Sequence, residues 1–268
     1  MTDLLRALLQ WATQDPNVRV VLQTGSFVRG SDDALSDLDI ELHCSHSDVL
    51  LASPAWFQSL APVWVYQALG APNFPTRLVL FEGGRKVDFA LLPISLLQKG
   101  QLSVAASAGF HVLLDKDGLT APLHATGFVP HPPTREQFLR TRATFWMEAW
   151  SWAKYLARGD GWHARIRDND TKVALLQMME WYALTQNQTP RHDGHFLSEW
   201  TDAHTRAVIP SLWSDWNRSN QWRALRESCD LFTHHENAVA ATFGLPLDSI
   251  NTPAIQADIE RIEKLDME

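Results

Sequence analysis

Residues 24–42, TGSFVRGSDDALSDLDIEL, decide the reading of this chain. They follow VRVVLQ (18–23), a short β-branched run that reads as a strand. Thr24-Gly25-Ser26 breaks that strand, and a short helix or loop follows. DLDIELH (37–43) then alternates polar and apolar residues, the pattern of a half-buried strand. Side chains on a strand alternate faces, so Asp37, Asp39 and Glu41 share one side while Leu38, Ile40 and Leu42 face a core. Two carboxylates about 7 Å apart on one strand face suit a hard divalent cation. Asp32 and Asp33 read as turn residues, and Glu41 as a surface residue at the strand end.

Further along, RLVLFE (77–82) and RKVDFALL (85–92) flank Gly83-Gly84, the signal of a hairpin with a two-residue turn. Asp88 lies mid-strand between Val87 and Phe89 and points away from the apolar face. If this hairpin pairs beside the Asp37–Asp39 strand, three carboxylates converge. Ionised together they repel and raise one another's pKa unless a cation neutralises them. Oxygen-only ligands favour magnesium or manganese over zinc. Ahead of the pair, Gly25 lets backbone approach a phosphate, and the following N–H groups and the Ser26 hydroxyl suit its oxygens. Arg29 and Ser36 are further phosphate-binding candidates. A lone D-x-D is common on solvated surfaces. Gly-Ser, ten residues, D-x-D and a third aspartate on a later strand together describe phosphoryl or nucleotidyl transfer with two metal ions.

Outward from this core the composition is that of an ordinary globular protein. The 268 residues are 45% hydrophobic and 20% charged, with a formal net charge of −8. That acidic balance argues against a dedicated nucleic-acid binder and permits a cationic small substrate. No apolar run is long enough to span a membrane, and the first residues lack the pattern of a signal peptide, so a cytoplasmic protein is expected. Cys44 and Cys229 are expected as reduced, buried thiols. The Pro-rich stretch 121–134 reads as a linker, and most tryptophans lie beyond it. The expected fold is therefore α+β: a small mixed-sheet domain over 1–130, then an all-α domain over 131–268. Leu4, Leu5, Leu8, Leu9 and Ala12 predict a first helix at 2–13. After the linker, a Thr134/Gln137 capping box and Gly159 bound one helix. Others are predicted near 171–187, 196–207, 219–242 and 252–265, the last capped by Thr252 ahead of Pro253.

The second half offers weaker candidates. Lys154 and Arg158 share a helix face; they read either as cations aimed at phosphates or as a solvated last turn. Trp146, Trp150 and the neighbouring Phe145 and Trp152 read as core aromatics rather than a stacking wall. Asp168 and Asp170 read as N-terminal caps of the 171–187 helix. His192, His195, His234 and His235 lack the spacing of a helical zinc motif and read as solvated.

GSFVRGSDDALSDLDIEL, 25–42, resembles the signature of the polymerase-β-like nucleotidyltransferase superfamily. VWVYQALGAPNFPTRLVLFEGGRKVDFALLP and FWMEAWSWAKYLARGDGWHARIRDNDTKVALLQMMEWY resemble segments of the aminoglycoside 6-adenylyltransferases, the streptomycin-modifying enzymes. The resemblance covers roughly 20–185. It implies a nucleotidyltransferase domain followed by a helical acceptor-binding domain, and transfer of AMP from Mg–ATP to an aminoglycoside hydroxyl with release of pyrophosphate. On this resemblance Gly25 and Ser26 bind the triphosphate, and Asp37, Asp39 and Asp88 hold metal. Asp88 also helps deprotonate the acceptor, Lys154 reaches the triphosphate, and Asp168 acts as base or holds the drug's amines. Glu148, Glu180, Glu199 and Asp202 are lesser acceptor contacts. The implied partners are a nucleoside triphosphate and a small cationic acceptor, without nucleic acid or membrane, in a monomer or small homo-oligomer. Two other functions stand beside this one: nucleotidyl transfer to a different acceptor, and a nucleotide-binding regulatory module without turnover.

Overall fold

The computed structural model describes residues 2–70, 74–127 and 129–267. Ala71–Asn73, inside one of the resembling segments, and Phe128, inside the proline-rich stretch, lie outside the described residues. The chain forms two compact units, Met1–Val129 and Pro130–Glu268.

The first unit carries strands β1 (Val18–Gln23), β2 (Leu38–Cys44), β3 (Val63–Leu69), β4 (Thr76–Phe81), β5 (Arg85–Pro93) and β6 (His111–Asp115). They make one sheet in the order β3-β4-β5-β2-β1-β6. Only β2 and β5 run parallel; the other pairs are antiparallel. Its helices are α1 (Thr2–Gln14), α2 (Ser26–Arg29), α3 (Ser47–Ala52), α4 (Ala55–Gln58), α5 (Ser95–Gln98) and α6 (Val104–Ala108). Leu4, Leu8 and Ala12 stack on one side of α1 and join Leu38, Ile40, Leu42 and Phe89 in a core on one face of the sheet. Val20 and Leu22 face the other way, against Leu97 and Ala106. Coverage on both faces explains why β1 reads as a near-continuous apolar run.

The four predicted strands are present within a residue or two. Two more were not predicted. β3 is an edge strand whose residues are mostly exposed, so it shows no burial alternation, and β6 pairs with β1 alone at the opposite edge. The hairpin turn is also longer than predicted. Phe81 pairs with Arg85, leaving Glu82, Gly83 and Gly84 in the loop, with the two glycines at φ 80° and 72°. Those left-handed angles are what the glycine pair supplies.

The second unit is helical: α7 (Arg135–Ala157), α8 (Gly161–Thr185), α9 (Leu197–Trp200), α10 (Ala203–Val208), α11 (Arg218–Phe243) and α12 (Thr252–Met267), with two short 3₁₀ turns. The Thr134/Gln137 capping box opens α7 as expected. Phe145 of α7 stacks on Phe232 of α11 with ring centroids 3.7 Å apart, and Trp146 and Trp152 are buried beside them. Trp150 is half-buried, its indole N–H donating to Asp258 at 2.8 Å. The aromatic stripes are thus mostly core, each fully buried ring contributing roughly 1.5–3 kcal/mol.

Three helix boundaries differ from expectation. α8 begins at Gly161, with Asp160 accepting the His163 N–H at 3.3 Å, so Asp168 and Asp170 are interior residues and cap nothing. Their segment is polar enough to read as a loop. Yet it is laced by i,i+3 and i,i+4 ion pairs, Arg165–Asp168, Arg167–Asp170 and Asp168–Lys172, that support a helix. The 196–207 span is two short helices, because Asp202 accepts the Thr205 N–H at 2.7 Å and starts α10 afresh. Asn251, rather than Thr252, caps α12 by accepting the Ala254 N–H; Thr252 is buried and takes a bond from Arg142.

Both cysteines are free and buried, and burial pushes each thiol up to about 12. Among the described residues no helix is long and apolar enough to cross a membrane.

Candidate active site

The parallel pairing of β2 and β5 places Asp39 directly opposite Asp88. Asp37 stands one residue before β2 and on the same side as Asp39, so the three predicted aspartates do gather at one place. Between β1 and β2 the chain makes the predicted break. The Thr24 N–H donates to the Asp39 carbonyl at 3.0 Å, and Gly25 follows at φ 76°. A side chain at position 25 would put its Cβ 1.8 Å from Asp39 Oδ2. Only glycine therefore allows the backbone ahead of Ser26 to lie against that carboxylate. Gly25 opens the short helix α2 with no side-chain cap, and Gly30 closes it in the left-handed conformation.

The electrostatics follow from this crowding. Asp39 is pushed up to about 6, first by burial and then by the charges of Asp88 and Asp37, against the pull of Lys86 and Arg29. Burial likewise raises Asp88, against its bond with Lys86. Lys86 is the residue that the sequence reading missed. Its Nζ lies 2.5 Å from Asp37 Oδ2 and 2.9 Å from Asp88 Oδ1. Burial disfavours its ammonium, but the two carboxylates outweigh burial and raise its pKa. The signal was present: Lys86 lies two residues before Asp88, hence on the same face of β5.

Arg29 is exposed and acts on Asp39 through its charge. The Ser36 hydroxyl is engaged with Asp33, accepting the Asp33 N–H at 2.8 Å and donating to Asp33 Oδ1 at 3.2 Å. Asp33 thus closes the expected turn. Glu41 corrects its prediction: it is buried rather than at the surface, with the Ser103 hydroxyl donating to one oxygen and His43 Nε2 3.1 Å from the other. The α5–α6 segment that covers this face has no signature in the Asp37–Glu41 alternation itself.

In the second unit, Lys154 Nζ sits 4.5 Å from the Tyr155 ring centroid and 5.3 Å from that of Trp150. Asp168 is buried within α8, paired with Lys172 at 2.7 Å and Arg165 at 3.0 Å. Glu148 pairs with Arg167, Glu199 with Arg191, and Asp202 accepts from the Tyr182 hydroxyl. His235 is buried rather than solvated and contacts Thr205; Glu236, next to it, is buried and pairs with Arg142 at 2.6 Å. The His192 side chain lies outside the described residues. A cleft of about 280 Å³ is lined by Trp162, Arg165, Ile166, Asn169 and Trp216.

Whether the aspartates fit a divalent cation is answered by their donors. The set is all oxygen and all anionic, and Asp88 Oδ1 is buried without an aligned hydrogen bond. Such a set suits magnesium. Even so, no group of three His, Cys, Asp or Glu side chains among the described residues is arranged around a metal position. Asp37 and Asp88 lie on either side of the Lys86 ammonium.

A mixed sheet with this glycine-serine turn, followed along the chain by a helical unit, defines a class, the nucleotidyltransferases. The sequence pattern of the family described as streptomycin adenylyltransferase matches residues 1–262, and the chain belongs to that family. It is similar to the aminoglycoside 6-adenylyltransferase of Bacillus subtilis (strain 168), at 24% identity over 257 residues, 89% of each chain. Among solved structures it is similar to an aminoglycoside 6-adenyltransferase from Bacillus subtilis (TM-score 0.48, 21% identity, 98% of this chain and 97% of that one). A second is a nucleotidyltransferase-like protein from Exiguobacterium sibiricum 255-15 (TM-score 0.40, 12% identity, 87% and 74%). The chain is an enzyme of nucleotidyl transfer, and its family implies a nucleotide co-substrate.

Proposed function

We propose that this enzyme transfers AMP from Mg–ATP to a hydroxyl of a streptomycin-like aminoglycoside and releases pyrophosphate. The observation that carries the reading is the facing pair Asp39 and Asp88 on parallel strands, with Gly25 held against Asp39. Asp37, Asp39 and Asp88 would hold magnesium. When bound, that metal supplies charge neutralisation on the triphosphate and lowers the pKa of the acceptor hydroxyl. The backbone N–H groups after Gly25, the Ser26 hydroxyl and Arg29 bind the triphosphate oxygens, with Ser36 as a further contact. The acceptor oxygen forms a bond to the α-phosphorus as the bond to pyrophosphate breaks. The hydroxyl proton passes to the Asp88 carboxylate, whose raised pKa suits it as a base.

The helical unit is the acceptor-binding part of this reading. Within it Asp168 is a positioning residue: its carboxylate holds Arg165 and Lys172 in place beside Trp216 and Trp213. The exposed rings of Trp213 and Trp216 suit the faces of an aminoglycoside's sugar rings. Pyrophosphate release from Mg–ATP across a panel of aminoglycosides tests the assignment. Release that depends on streptomycin supports it, and release only with acceptors of another kind rejects the acceptor.

A further inference from the structure

Lys86 carries an inference beyond the assignment of the three aspartates. Its side chain rises from the start of β5 on the same face as Asp88, just after the three-residue turn, and is about a third exposed. The ammonium lies within 3 Å of both outer carboxylates, at 2.5 Å from Asp37 Oδ2 and 2.9 Å from Asp88 Oδ1. A metal ion shared by Asp37 and Asp88 would need the ground between them, and a cation of like sign at such a distance is strongly repelled. A lysine of the chain itself therefore supplies one positive charge to this cluster, paired with Asp37 and Asp88.

We propose that Lys86 is a built-in counter-cation that excludes bare divalent metal from the aspartate cluster, so that metal enters only together with the nucleotide. The triphosphate brings the negative charge that a displaced ammonium can meet in solvent-accessible space, which free metal does not bring. Lys86 is thus a positioning residue that sets the order of binding, and this rests on the nucleotidyl-transfer reading above. A lysine that served packing alone, with its ammonium away from the carboxylates, would leave metal affinity unchanged.

The test is manganese binding followed by electron paramagnetic resonance, with and without a non-hydrolysable ATP analogue, on the full chain. Wild type is expected to bind manganese weakly alone and much more tightly with the analogue. Lys86→Gln and Lys86→Met, checked for folding by circular dichroism, are expected to bind manganese alone at least ~10-fold more tightly than wild type, since one like charge has gone. Lys86→Arg, which keeps the charge, should behave as wild type. Tight manganese binding by nucleotide-free wild type overturns the proposal without recourse to any variant. Equal affinities in wild type and the neutral variants, with the analogue still binding, overturn it and leave the proposed function standing. Failure of wild type to bind the analogue with any divalent cation overturns both.

Discussion

Single residues at the site carry opposing demands, and their substitutions should separate chemistry from stability. Asp39→Asn and Asp88→Asn each remove one charge from a crowded set without opening a cavity. Both are expected to lose turnover by ~10²-fold or more while keeping or raising the melting temperature, because like-charge repulsion is relieved. Near-wild-type turnover in either variant would remove that aspartate from the mechanism. Gly25→Ala should behave differently. Its Cβ falls 1.8 Å from Asp39 Oδ2 in a backbone at φ 76°, so both the carboxylate and the turn must shift. A stability loss of about 1–3 kcal/mol together with lost activity is expected, read by denaturant unfolding beside steady-state kinetics. Asp168→Asn tests a buried pair rather than a cap. Asparagine at a cap is nearly neutral, but here the change leaves the buried Lys172 without its countercharge, at a cost of about 3–5 kcal/mol. A loss under about 1 kcal/mol would show that the pair has little structural weight.

At the scale of elements, what was legible in the sequence is what local pattern governs. The β2 alternation gave the faces of Asp37, Asp39 and the core leucines, and the Thr134/Gln137 capping box gave the start of α7. The start of α8 was missed because helix support came from ion pairs within a charged run, which polarity alone reads as loop. Lys86 was missed because a strand lysine beside an aspartate is ordinary until the register of β5 against β2 brings Asp37 to it. Glu41 and His235 were misplaced for a related reason: only tertiary packing buries them. His235, within α11, has a consequence for pH. Burial, then the charge of His234, depresses it from 6.5 to about 3. Asp202 pulls the other way, and His204 adds to the depression. Between those values the unfolded chain binds a proton that the folded chain refuses. The stability is therefore complete above about pH 6.5 and is lost as pH falls towards 3. Acidification from pH 6.5 to 5 should cost about 2 kcal/mol through this residue. Chemical denaturation at the two values would show it, and His235→Gln should flatten the dependence; an equal slope in the variant would assign the acid sensitivity elsewhere.

For the whole molecule, the sheet unit brings three carboxylates together and the family assigns nucleotidyl transfer, while the nucleotide site and the acceptor are what the proposal adds. The most direct measurement is mass spectrometry of streptomycin after incubation with the enzyme, ATP and magnesium, with Asp39→Asn as the control. Wild-type enzyme is expected to yield streptomycin carrying a single AMP and pyrophosphate in equal amount, and the variant neither product. Unmodified streptomycin, from a wild-type protein shown in the same buffer to bind Mg–ATP, would contradict the proposal.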